Sequence, residues 1–460
     1  MLQHVVHEAV RHVRLLIACV CVKVLLGVGY ASTDFEVHRA WGALAVSAHP
    51  SAWYTDTTSV WTVDYPPAFM WAQRAWALVA RALVPEATRV SAEPVMNSHV
   101  LAVQRASVIA TDVALYVATC ALAVVCKQYF RYVLSTGVRL AARVRATAVT
   151  RTCKHALFFL HGSARACARA RAHCCSLSHD EGYVTRVLVS CMLCFGLLMV
   201  DGIHFQYNGY LLSLFFVCLT LMYTRRLMAA SAAYTLLILS KHLFLAAGPV
   251  IAIFLVAAAC ESATPHRRAP PLRIVARLTG MASAVVAVIL ATCWPWMSSD
   301  ARMVAHNAAV IASRLFPFQR GLVHAYWAPN VWALYLSVDK LAAVVARRVG
   351  LTFLLRAGAG VDGLLAPSVQ ASHSAHVALV HTLQVLPQPT AVHCIVIVLL
   401  VCVPIWCWLA RRCTPARAHV AACVCLLMFF AFGFHTQAAT CARAGVHRRA
   451  SQHHIGTQTS

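Results

Sequence analysis

The stretch LLIACVCVKVLLGVGYASTDFEVHRAW, residues 15–41, decides how the chain is read. An apolar run from Leu15 to Tyr30, preceded by Arg11 and Arg14, gives way at once to the polar, acidic segment STDFEVHRAW (Ser32–Trp41). No small-residue cleavage pattern precedes that segment, so the run reads as a retained signal anchor and not as a cleaved leader. Its basic flank predicts a cytoplasmic N-terminus, which puts Asp34 and Glu36 at the lumenal edge of the membrane. Further polar-aromatic segments interrupt apolar sequence in the same way. WTVDYPPAF (Trp61–Phe69) follows closely, and VDGIHFQYNGYL (Val200–Leu211) and SRLFPFQRGLVHAYWAPNVWALY (Ser313–Tyr335) lie further on. Ionisable groups at membrane edges are costly. Their concentration into a few short runs suggests one polar site at the membrane surface, built from distant parts of the chain.

Composition points to an all-α polytopic membrane protein. Apolar residues make up 60%, charged residues 12%, and the mean hydropathy is +0.68. A soluble domain is nearer about 45–50% apolar and about 25% charged. The net charge of +24 raises nucleic acid as a partner. The basic residues, however, fall mostly in loops between apolar runs. There they read as topology signals facing an anionic cytoplasmic leaflet, so membrane lipid and no nucleic acid is expected. The 20 cysteines are scattered, many within apolar runs. No CxxC pair comes with a second pair or a histidine at zinc spacing, so buried free thiols are expected.

The chain divides into a multi-span domain over residues 1–434 and a polar, basic tail over 435–460. Residues 31–98 form a first lumenal loop containing Asp34, Glu36, Asp56, Asp64, Glu86 and Glu93. Its apolar run after Pro67 is broken by Gln73, Arg74 and Arg81, which predicts interfacial helices there. A span over Val108–Val125 leads into a basic cytoplasmic loop, 127–186, whose only acids are Asp180 and Glu181. Spans follow near Val187–Val200, Leu211–Tyr223, Leu227–Leu239, Leu243–Ala259 and Ile274–Cys293. A lumenal segment over 294–332 comes next, then spans near Val331–Ala346, Ala391–Ala410 and His419–Phe434. No internal repeat is visible.

STDFEVHR, TSVWTVDYPP, HFQYNG, HAYWAPN and the Lys241-His242 step carry a resemblance. In collinear order from about Tyr30 to Phe434, they resemble the endoplasmic-reticulum glucosyltransferases that use dolichyl phosphate glucose. Two sister families share the DFE/DYE and DYPP patterns. The one adding the first glucose typically reads GDYEAQRHW and lacks HAYWAPN; this chain is similar to the one adding the second. The resemblance implies a GT-C glycosyltransferase fold with a long first lumenal loop, in the endoplasmic-reticulum membrane. It implies α1,3 transfer with inversion, from a dolichyl phosphate glucose donor to the monoglucosylated dolichyl-diphosphate oligosaccharide of asparagine-linked glycosylation. No cofactor or metal is expected. Where the family continues FGFH into a V-H-E-K-A type motif and several more spans, Phe432–His435 runs here into TQAATCARAGVHRRASQHH. The expectation is a chain lacking the carboxy-terminal part of that fold and unable by itself to restore oligosaccharide glucosylation. A first-glucose transferase, an inactive truncated homologue and a membrane transporter stand as alternatives.

The transfer needs a base for the acceptor hydroxyl and cations or amides for the leaving phosphate. Read alone, Asp34 is first an exposed loop carboxylate capping an interfacial helix; the resemblance assigns it the role of base. Glu36 is two residues away, off that helical face, and pairs better with Arg39 or His38. Asp64-Tyr65 sits before a double proline and reads as substrate contact or rigid pocket wall. Trp53, Tyr54 and Trp61 read as sugar-stacking platforms or interfacial anchors. His204, Gln206 and Asn208 read as site wall or as structural residues. Lys241, followed by His242, lies between apolar runs, where it binds the lipid phosphate or snorkels to the interface. Arg320, His324 and Trp327 of the Ser313–Tyr335 segment are expected phosphate or sugar contacts.

Overall fold

The structure, a computed structural model, describes residues 1–27, 31–91, 95–148, 182–262, 269–316, 331–351, 353, 356–357, 383–387 and 391–432. These residues are helical. In order come α1 (Leu2–Arg11), α2 (Val13–Leu26), α3 (Thr33–Ser47), α4 (Pro67–Leu83), α5 (Ser98–Ala148), α6 (Tyr183–Met192) and α7 (Asn208–Tyr223). Then follow α8 (Leu227–Ser240), α9 (Gly248–Cys260), α10 (Pro271–Cys293), α11 (Ala301–Leu315), α12 (Val331–Arg348), α13 (Ala391–Arg411) and α14 (Pro415–Phe432). Among the described residues the only strand pairing is a two-residue antiparallel ladder, Arg356–Ala357 with Leu383–Gln384.

Among the described residues, six helical stretches are long and apolar enough to cross a membrane. They are Ser98–Val133, Tyr183–Ile203, His242–Cys260, Pro271–Trp296, Val392–Arg411 and Pro415–Phe432. The apolar helices α7 and α8 are shorter. The first hydropathic run forms α2, whose 14 residues cover about 21 Å at a rise of 1.5 Å each, less than the ~30 Å hydrocarbon core. The run expected as a span near Val331 is helical, but Asp339, Lys340, Arg347 and Arg348 keep α12 out of the six. The basic loop expected from residue 127 begins instead as a continuation of α5 to Ala148, because its alanines and arginines are strong helix formers. The centre of that loop, 149–181, and the tail, 435–460, lie outside the described residues.

Two compact units emerge, one of Met1–Ser32 with Arg105–Tyr234, the other of Thr33–Gln104 with Thr235–Ser460. In the first, Cys19 of α2 packs with Leu115, Tyr116 and Cys120 of α5 and with Leu188 and Met192 of α6. The Tyr116 hydroxyl donates to the Ala9 carbonyl at 2.7 Å, and His12 is 2.8 Å from the Thr185 hydroxyl. In the second, α3 and α4 lie close together. Gly42 permits the approach: a Cβ there would stand 3.4 Å from that of Ala77. Arg74 ties the pair by donating to the Ala45 carbonyl at 2.6 Å. Helix α4 starts at Pro67, whose fixed φ suits the first helical position. Helix α11 starts at Asp300, which accepts from the Arg302 amide at 2.8 Å. Free cysteines occur among the described residues, but Cys21, Cys194 and Cys407 are exposed, unlike the buried thiols expected. Cys21 and Cys407 lie on apolar helices that few neighbours cover, and Cys194 in the extended break after α6.

Candidate active site

Asp34 and Glu36 occupy the first turn of α3, where the positive end of the helix dipole favours carboxylates. Asp34 is half-buried. His38 lies one turn further on and shares its face. His38 is buried against Trp41, with ring centroids 5.1 Å apart, and against Phe69 at 5.7 Å. Its Nδ1 is 3.4 Å from Gln73 Nε2. The helix is anchored by Gln104, whose amide donates to the Phe35 carbonyl at 2.7 Å.

The DYPP sequence brings a second carboxylate and a phenol to this face. Pro66 is extended and Pro67 opens α4, so the chain turns sharply after Tyr65. Tyr65 is buried with its ring 4.5 Å from Phe69 and 5.2 Å from Trp41. Its carbonyl accepts the Tyr54 hydroxyl at 2.7 Å. Lys241 arrives from the break between α8 and the 3-10 turn His242–Ala247, where an extended backbone interrupts the helical run. It is only 6% exposed, and its Nζ stands 5.2 Å from the Tyr65 ring centroid. Burial pushes the Tyr65 hydroxyl above the ordinary phenol range; Lys241 opposes this by charge and by a hydrogen bond, while Asp64 and Asp34 add to it. Lys241 thus stands against the phenol, which also feels the charges of Asp64 and Asp34. A half-buried carboxylate of this kind can accept a proton. A buried ammonium can stabilise an oxyanion.

Arg39 turns away from this cluster. It is 3% exposed and its Nη1 donates to the Arg89 carbonyl at 2.9 Å. Burial pulls its guanidinium below the usual value, and the charge of Glu36 holds it up. His242 packs edge-on against Phe316 at 4.9 Å. Arg320, His324 and Trp327 lie outside the described residues.

The expected stacking platforms are not available to a sugar. Trp53, Tyr54 and Trp61 are 0%, 2% and 4% exposed. Trp53 packs against Trp71 at 5.0 Å and Trp296 at 5.9 Å, and Tyr54 against Trp296 at 5.4 Å. Trp71 in turn donates to the Thr292 carbonyl at 2.8 Å, and Arg314 to the Tyr54 carbonyl at 3.3 Å. Aromatic area on this scale lowers the free energy most when it is buried in protein, and these rings form a wall.

In the other unit, the HFQYNG segment is a turn between a π-helical turn, Leu198–Ile203, and α7. His204 is buried, and its carbonyl accepts the Ser32 hydroxyl. The Asn208 amide donates to Asp201 Oδ1 at 2.8 Å and to Gln206 Oε1 at 3.1 Å, so both its hydrogens are used within the turn. Buried Lys23, Asp112 and Asp201 complete this polar layer. Sequence alone offered His38 only as a partner for Glu36 and Gln73 only as a break in an apolar run, and it did not single out Lys23 or Asp112. Lone ionisable residues inside apolar runs are the signal for Lys23 and Asp112, and the four-residue spacing from Asp34 is the signal for His38.

A protein-family model described as the ALG6, ALG8 glycosyltransferase family matches residues 19–160 and 155–437. A mouse protein named dolichyl pyrophosphate Glc1Man9GlcNAc2 alpha-1,3-glucosyltransferase is 30% identical over 419 residues, 90% of this chain and 68% of its own length. A relative of the same name from Arabidopsis thaliana is 30% identical over 94% of this chain and 68% of its own length. One from Schizosaccharomyces pombe is 32% identical over 75% of this chain and 57% of its own.

Proposed function

The chain belongs to the ALG6, ALG8 glycosyltransferase family, and from that premise we propose that it adds glucose in α1,3 linkage to a monoglucosylated lipid-linked oligosaccharide, with dolichyl phosphate β-glucose as donor. The names carried by the mouse, plant and yeast relatives support the acceptor and the linkage. The pathway those names describe supports an endoplasmic-reticulum membrane location. The observation that carries the chemistry is the buried Lys241 ammonium against Tyr65, a phenol that also feels the charges of Asp34 and Asp64.

In the proposed reaction Asp34 takes the proton from the C3 hydroxyl of the terminal acceptor glucose. That oxygen attacks C1 of the donor glucose from the face opposite the phosphate. The C1–O bond to dolichyl phosphate breaks, its electron pair leaves with the phosphate oxygen, and the β linkage becomes α. A single in-line displacement of this kind needs one base and no second nucleophilic carboxylate. Lys241 offsets the negative charge gathering on the leaving phosphate. Tyr65, kept protonated by its burial, offers a hydroxyl and not a base. Asp64 shapes the wall and balances Lys241.

Membranes from cells expressing the chain test this. They are supplied with dolichyl phosphate glucose and either the monoglucosylated or the non-glucosylated lipid-linked oligosaccharide, and the product linkage is determined. We expect one α1,3-linked glucose on the monoglucosylated acceptor alone. Transfer to the non-glucosylated acceptor would assign the chain to first-glucose addition; transfer to neither would overturn the proposal.

A further inference from the structure

The helix that opens the first unit presents three faces of different chemistry, and the protein covers one of them. Val5, Glu8, Ala9 and His12 line up at helical spacing, and this strip of α1 is docked. Val5 is buried in the core around Leu115 and Leu188, with Ala9 packed beside it. The Ala9 carbonyl accepts the Tyr116 hydroxyl at 2.7 Å, and His12 lies 2.8 Å from the Thr185 hydroxyl. Contacts with both α5 and α6 therefore fix how α1 is rotated about its own axis.

The other two strips are opposite in character. Leu2, Val6 and Val10, four residues apart, are 75%, 53% and 68% exposed. This apolar strip runs on past the break at His12 into exposed Val13 and Ile17 of the apolar helix α2. The third strip is His4, His7 and Arg11, all exposed, with exposed Arg14 beyond it. Glu8 is the only acid in residues 1–33. Its carboxylate is turned to the docked side, 3.4 Å from His12 Nδ1, so the outward basic strip has no acid of its own. A soluble partner fits this division poorly. A bilayer fits it well, with acyl chains against the apolar strip and anionic phosphates against the basic one. At ten residues α1 is about 15 Å long, too short to cross a membrane and long enough to lie at its surface.

We propose that α1 is an interfacial anchor for anionic phospholipid. Leu2, Val6 and Val10 enter the acyl-chain boundary, while Arg11 and Arg14, with His4 and His7 beside them, face the lipid phosphates. The leaflet is the cytoplasmic one, the side that Arg11 and Arg14 indicate. The anchor uses none of the groups proposed for glucosyl transfer.

Two measurements on the full chain test this. The protein is placed in nanodiscs of phosphatidylcholine alone, or of three parts phosphatidylcholine to one part phosphatidylserine. Amide hydrogen exchange is then followed in the peptide spanning 2–11. We expect slower exchange in the anionic discs, by about fivefold for each arginine engaged, and loss of that difference in Arg11→Gln/Arg14→Gln. Equal exchange of the unaltered chain in the two lipids would overturn the proposal, as would a difference that persists in the double variant. In the second measurement a photoreactive benzoylphenylalanine replaces Val6 or Val10 on one strip, or His4 or His7 on the other. Phospholipid should be captured from positions 6 and 10 and not from 4 and 7. Absence of lipid at 6 and 10, or capture there of a protein, a second copy of this chain included, would overturn the proposal. Equal lipid capture from all four positions would overturn it too, by showing a helix with no fixed face.

Discussion

Replacing Lys241 by methionine removes one positive charge from the cluster around Tyr65 and little volume. The ammonium is 6% exposed, so its interactions are weakly screened. An ammonium ~4 Å from a phosphate oxygen, at an effective dielectric of about 20, is worth about 4 kcal/mol. Loss of a single oxyanion donor costs about 10²–10³-fold in kcat. The donor phosphodiester already carries one negative charge before transfer and gains a second on leaving. Part of the loss therefore falls on donor KM and the rest on kcat. Structurally the change is mild: the Tyr65 hydroxyl loses a hydrogen bond from Lys241, worth about 1 kcal/mol net, and an apolar side chain takes the buried stem's place. The assay is glucosyl transfer in membranes with protein levels matched by immunoblot, kcat and donor KM being measured separately. We expect kcat/KM to fall at least about 100-fold. Lys241→Arg should recover little of this, since a planar guanidinium does not fit a slot shaped for a compact ammonium. Transfer within threefold of wild type at equal protein level would refute a role for Lys241 at the phosphate.

Tyr65→Phe should lower transfer by about 10-fold, the loss of one buried hydrogen-bonding group. It should not shift the pH profile across the neutral range, because burial keeps this hydroxyl protonated there; a displaced profile would make Tyr65 an acid–base group. Trp53→Ala should destabilise the second unit by about 3–5 kcal/mol, the usual cost of emptying an aromatic core position; Trp53 is 0% exposed. A detergent melt unchanged in that variant would contradict the wall assigned to the tryptophan cluster. Glycosylation acceptor tags inserted near Ser51 and near Ala308 should both be modified, and one near Ala164 should not, following the basic flanks of the first two apolar runs. Modification of the tag near Ala164 would invert the proposed orientation.

Much of the helical framework was legible because hydropathy alone sets it. The runs at Leu211, Leu227 and Ile274 became α7, α8 and α10 to within three residues, while the run at Leu243 opens as a 3-10 turn and becomes α9 only at Gly248. Helix ends were less so. Helix α5 starts at Ser98, ten residues ahead of the span expected from Val108, and takes in the polar Gln104, Arg105 and Ser107. Gln104 is buried by its bond to the Phe35 carbonyl and Ser107 by its contact with the Tyr207 hydroxyl. Such satisfaction depends on partners far away in sequence. At the candidate site, Asp34, Asp64 and Lys241 stood out in the sequence as ionisable groups beside apolar runs, while the contact of Lys241 with Tyr65 depends on residues far apart in sequence. The burial of Trp53 and Tyr54 was not legible, since a tryptophan in a lumenal loop looks the same whether it faces sugar or Trp296. Nor was the Lys23–Asp112 pair, whose members lie 89 positions apart. Each appeared only as an isolated charge in an apolar run.

If Asp34 is the base, as proposed, Asp34→Asn should nearly abolish transfer. The amide is nearly isosteric and leaves the first turn of α3 and the burial of His38 in place, but it cannot take a proton at neutral pH. Glucosyl transfer is measured in membranes with matched protein levels, and product is read as conversion of the monoglucosylated to the diglucosylated oligosaccharide. Loss of a general base costs about 10²–10⁴-fold, so turnover should fall by at least about 100-fold while donor and acceptor KM change little. Turnover within a few-fold of wild type, in protein that is present and correctly inserted, would contradict the account.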